Sequence, residues 1–143
     1  MNLIINTTYI MQKIFLSLLI CVLVNAAAFA QDKTTYPVVV SFNSECCGVP
    51  SNAPLIKLVQ GFKKQYKIKK ITADSIGPMG REGEYYLAFS LKEFSKAQKI
   101  KFIQELKKTV ATMKDKGSAT VLENETIDRS ALSRGASVTP LTY

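Results

Sequence analysis

Three side chains in this sequence are candidates to hold a soft ion together: Cys46, Cys47 and Met79. The two cysteines are adjacent, in the stretch Asn43-Ser-Glu-Cys-Cys-Gly-Val-Pro50, and Met79 lies in a second glycine-rich stretch, Gly77-Pro-Met-Gly-Arg-Glu-Gly83. Thiolates are soft ligands that select Cu(I), Zn or related ions, and a thioether adds a neutral soft donor that needs no deprotonation. A Cys2Met set favours Cu(I). Zinc asks for four donors, which two molecules would supply with one cysteine pair each. Lys116 is expected near the pair, where its charge would lower the thiol pKa. A second chemistry for the same residues is redox. A trans peptide sets neighbouring Cα atoms about 3.8 Å apart, below the usual disulfide range of about 4.4–6.8 Å, so a Cys46–Cys47 bridge would be strained and easily reduced. A third reading is a tight structural turn or a docking point for an unknown protein partner.

Other chemistries are excluded or weak. The chain has no histidine, which removes Ser-His-Asp triads, Cys-His nucleophile pairs and imidazole metal sites. Gly77 to Gly83 is expected to join two strands and opens no helix, so it lacks the geometry of a phosphate loop. Glu45, Glu82 and Glu84 read as solvated turn carboxylates, and Tyr85 and Tyr86 as sheet residues. The only enzyme reading is a thiol oxidoreductase, and the pair lacks the Cys-x-x-Cys spacing that activates such thiols. The expectation is a protein that is not an enzyme.

The chain has 143 residues and a net charge of +8. Met11-Gln12-Lys13, the apolar run Ile14 to Val24 and the small residues of Ala28-Phe29-Ala30 form the pattern of a secretory signal, cleaved after Ala30. The run is shorter than the roughly 20 residues of a membrane span, so no transmembrane segment is expected in the mature form. Export would make nucleic acid an improbable partner for the positive charge and would place Cys46 and Cys47 in an oxidising compartment, periplasmic or extracellular. The expected organisation is a signal peptide over 1–30, one domain over 31–123, and a C-terminal tail over 124–143 that is flexible or adds one pairing segment.

The elements that must position the cysteines follow from periodicity. Pro37 to Phe42 is a β-branched run apolar on both faces, which predicts a central strand. Ser51 or Asn52 caps a helix with Pro54 in its first turn and Leu55, Leu58, Val59, Phe62 and Tyr66 on one face. Ile68 to Ile76 is a second strand and Glu84 to Leu91 an alternating third. Ser95-Lys-Ala-Gln98 is a capping box. It opens a second helix with the apolar stripe Ile100, Ile103, Leu106, Val110 and Met113, stopped by Gly117. Phe89 is expected to face Ile103. Ala119 to Glu123 is a short last strand. The order predicts an α+β, ferredoxin-like βαββαβ sandwich, with a four-stranded antiparallel sheet, both helices on one face and an open second face. In that topology the cysteine loop, the turn bearing Met79 and the loop before the last strand share one end.

A cysteine pair in the first βα loop of such a domain resembles the heavy-metal-associated domains of copper chaperones and metal-pumping ATPases, over roughly residues 37 to 123. Those domains carry Met-x-Cys-x-x-Cys, whereas this chain reads Phe42-Asn-Ser-Glu-Cys46-Cys47-Gly48. The resemblance carries over Cys46 and Cys47 as ligands and implies binding of a soft metal ion.

Overall fold

The computed structural model describes residues 33–132 and 135–143, so the leader assigned to 1–30 lies outside the described residues. The described chain is an α+β domain: β1 (Lys33–Ser44), α1 (Ala53–Gln65), β2 (Thr72–Gly77), β3 (Tyr85–Phe89), α2 (Lys96–Val110), β4 (Gly117–Asp128) and β5 (Ser137–Thr142), with a short 3-10 turn at Arg129–Ala131. The strands form one antiparallel sheet in the order β4-β1-β3-β2-β5. The first four strands take the order expected from the sequence. The fifth is an addition.

β1 is central because it is apolar on both sides. Val38, Val39, Val40 and Phe42 are all fully buried, and alternation sends Val38, Val40 and Phe42 into one core and Val39 into another. The larger core lies between the sheet and both helices. It joins Leu55, Val59 and Phe62 of α1 to Phe102, Leu106 and Val110 of α2 over Leu87 and Phe89.

Two expectations about α2 are corrected. Its capping box is present: the Ser95 hydroxyl accepts from the Gln98 backbone N–H at 3.3 Å, and the Gln98 side-chain Oε1 accepts from the Ser95 backbone N–H at 2.7 Å. The buried stripe, however, is Phe102, Leu106 and Val110, while Ile100 is 54% exposed and Ile103 only partly buried. Phe102 faces Phe89, with ring centroids 5.5 Å apart and near perpendicular, where Ile103 was expected. The aromatic side chain wins because Phe62 and Phe94 complete a ring-lined socket around it, at 5.0 and 5.1 Å. Gly117 does not stop the helix, which ends at Val110; it opens β4.

The last strand is longer than the sequence indicates, and the segment 124–143 is largely strand. β4 pairs with β1 from Gly117 opposite Ser44 to Asp128 opposite Lys33. Pro37 interrupts the ladder opposite Asn124, which adopts a left-handed φ of 53°. Across this kink the faces exchange, so that Tyr36 joins the second core although Val38 belongs to the first. The chain then crosses the helix-free face and returns as β5 on the outer edge of β2, from Ser137 opposite Gly77 to Thr142 opposite Thr72. Pro140 is tolerated there because β5 is an edge strand.

That crossing covers part of the face expected to be open. Leu132 and Val138 pack on a second core of Tyr36, Val39, Ile76, Ala88 and Ile127. The Tyr36 hydroxyl donates to the Asp74 carboxylate at 2.5 Å, and the Arg129 guanidinium lies 3.6 Å from the same carboxylate. Strands β1 and β2 are thereby tied to the crossing segment. No helix among the described residues is long and apolar enough to cross a membrane.

Candidate functional site

Strand register places the cysteine loop. β1 ends at Ser44, Phe42 pairs with Tyr85 at the start of β3, and Ile76 near the end of β2 pairs with Tyr86. The loop after β1, the turn between β2 and β3 and the loop before β4 therefore meet at one end of the sheet. Gly117 makes the last approach possible, because a Cβ there would lie 2.1 Å from the Asn43 carbonyl oxygen. Below the loop, Phe42 stacks on Tyr85 at 4.4 Å, and the Asn52 amide donates to the Tyr85 hydroxyl at 3.0 Å. Asn52 stands at the N-cap of α1 without a side-chain cap bond, since its amide is committed to β3. The start of the helix is thus fixed to the strand beside the loop. Burial raises the Tyr85 phenol above its ordinary pKa, against the lowering effect of the Asn52 hydrogen bond.

Cys46 and Cys47 are free thiols, and both are exposed. Gly48, at a φ of 106°, turns the chain after them toward buried Pro50 and α1. Cys47, by hydrogen bonding and by charge, raises the Cys46 pKa, and Glu45 and Glu82 raise it further. The charged side chains that act on Cys46 are acidic; Lys116, expected to lower the thiol pKa, is not among them. Activated nucleophilic cysteines sit in electropositive surroundings. Here the surroundings favour the protonated thiol.

Met79 reaches the same end on the β2–β3 turn, its N–H donating to the Glu84 carbonyl at 2.7 Å. Its side chain lines a recess of about 310 Å3 with Tyr86, Ile127 and Leu132 on the helix-free face. The structure thus leaves the pair exposed on its loop and places Met79 in the lining of a recess on the helix-free face. Among the described residues, no group of three or more Cys, Asp or Glu side chains is arranged to hold a metal ion. Glu82, expected only as a solvated turn carboxylate, acts on Cys46 because the strand order brings its turn to the cysteine loop, the shared end that the expected topology required.

Compared with known proteins, the chain matches no family model, no curated protein and no solved structure.

Proposed function

We propose that this chain is an exported binding domain, with a ferredoxin-like core extended by β5, that holds a soft metal ion between Cys46 and Cys47. The exposure of two adjacent free thiols on one loop carries the reading. Two neighbouring thiolates offer a soft ion both donors from a single chain. Glu45 and Glu82 favour a cation at the same place. Cu(I) is the better match to two thiolates from one chain; Zn would need donors from a second molecule. Because Cys46 holds its proton more firmly than an ordinary thiol, metal competes with that proton, and affinity rises with pH.

Native mass spectrometry of the reduced protein with Cu(I) or Zn tests the reading. Retention of one Cu(I) per chain, lost in Cys46→Ser and in Cys47→Ser, is the expected result. Met79→Ala is expected to retain the ion, and its loss there would return the thioether to the ligand set. Equal retention by the wild type and both cysteine variants removes the metal reading and leaves a partner-binding module with a redox-sensitive pair.

A further inference from the structure

The end of the domain opposite the cysteine loop carries a different chemistry. No Asp or Glu occurs between Glu45 and Asp74, whereas Lys63, Lys64, Lys67, Lys69 and Lys70 fall within one short stretch. Lys63 and Lys64 close the last turn of α1, where cations favourably meet the negative end of the helix dipole. Lys67, Lys69 and Lys70 lie beyond the helix, so that explanation does not reach them. The ion pairs among the described residues are Lys33–Asp128, Lys107–Glu123 and Arg129–Asp74, and none uses these five lysines.

Three of the five converge on a recess. Lys63, Lys64 and Lys67 line about 520 Å3 together with Gln60, Ile68, Thr142 and Tyr143. The far wall comes from the end of β5, held by paired hydrogen bonds between Ile71 and Tyr143 at 3.3 and 3.0 Å. The volume is in the range of small-ligand sites. Lys67 adopts a left-handed φ of 52° just after α1, a conformation that favours glycine and is strained for a residue with a side chain. A lysine there spends backbone stability to stand at the rim of the recess. Ammonium groups bind phosphate as point charges, and the Gln60 amide and Thr142 hydroxyl supply neutral donors beside them. Among the described residues the exposed large apolar side chain, Ile100, does not line the recess. Insertion into a bilayer is therefore disfavoured relative to capture of a free ligand.

We infer that this recess binds a small, multiply phosphorylated anion. Titrating the purified protein with inorganic tripolyphosphate, by calorimetry or amide chemical shifts, tests the inference. Saturable binding is expected, weaker for orthophosphate and weakened by salt. Charge reversal at Lys63, Lys64 or Lys67 should cost about two- to fivefold each, in line with exposed ion pairs. Lys101→Glu and Lys108→Glu, at exposed α2 positions that do not line the recess, should leave affinity within twofold once ionic strength is matched. Lys67→Gly is the decisive variant: it should raise the thermal midpoint while weakening binding, which a purely structural lysine would not do. Equal losses at the recess and on α2 would reduce the effect to net charge and overturn the inference. Unchanged affinity in Lys67→Gly would overturn it too, as would binding to phosphatidylglycerol vesicles without binding to free tripolyphosphate.

Discussion

Replacing Phe102 with Ala tests the packing that sets the orientation of α2. Phe102 is fully buried and meets three other rings, Phe62 at 5.0 Å, Phe94 at 5.1 Å and Phe89 at 5.5 Å, each close to edge-on. Truncating a buried Phe costs about 3–5 kcal/mol, from lost transfer energy plus the cavity left behind. The socket is built from α1, β3 and the loop before α2, so one element cannot move in to fill it without disturbing the others. Lost edge-to-face contacts add roughly 0.5–1.5 kcal/mol each beyond area. The expected cost is therefore at the upper end, about 4–5 kcal/mol. With a urea m-value near 2 kcal/mol/M, that lowers the unfolding midpoint by roughly 2 M. Ile103, partly buried beside Lys107 and Glu123, should cost about 1–2 kcal/mol on truncation, below the range for a fully buried Ile. Equilibrium urea unfolding followed by far-UV circular dichroism measures both. A loss of under about 1 kcal/mol at Phe102, or a larger loss at Ile103, would refute the assigned helix phase.

Three further outcomes are expected. Exported material should begin at Gln31, which intact mass reads directly; a product retaining Cys21 with added lipid mass would replace release by membrane anchoring. Tyr36→Phe removes the hydroxyl that donates to Asp74 and should cost about 1.5–3 kcal/mol, the range for hydrogen bonds to charged groups. Burial and the Asp74 hydrogen bond raise the Tyr36 pKa in the folded state. The stabilisation is thus complete below the ordinary phenol pKa and is lost as pH rises through the raised value, so unfolding scans should show a shallower alkaline decline for Tyr36→Phe than for the wild type. Gly117→Ala drives a Cβ against the Asn43 carbonyl and should destabilise by about 1–3 kcal/mol or more; chemical shifts confined to 117–118, without change at 43–47, would contradict the close approach.

Much of the fold is legible because it is local. The triple valine of β1, the Ser95–Gln98 capping box, Pro54 in the first turn of α1 and the alternation from Tyr85 to Phe89 each act within a few residues. The adjacent cysteines are equally plain, and so is their place after the first strand. Less legible was the phase of α2. Ile100, Ile103, Leu106, Val110 and Met113 form one apolar stripe and Phe102, Leu106 and Val110 another, and the two share Leu106 and Val110. Strand β5 is the extra pairing segment that the sequence left open within 124–143, but its bounds were not legible, because Ser137 to Thr142 is short, contains a proline and alternates only weakly in burial.

Composition and periodicity by themselves determined the element order, the absence of histidine chemistry and the loop that carries the thiols. Tertiary structure decided which side chains share a site. Strand pairing brings Glu82 to Cys46 and turns Met79 toward Tyr86, and it sets Thr142 and Tyr143 beside the lysines that follow α1. The reason is one of range: capping, turn and periodicity energies act over a few residues of chain. Neighbours far apart in sequence are chosen by sheet register and by the fit of buried rings, which exist only once the whole core has closed.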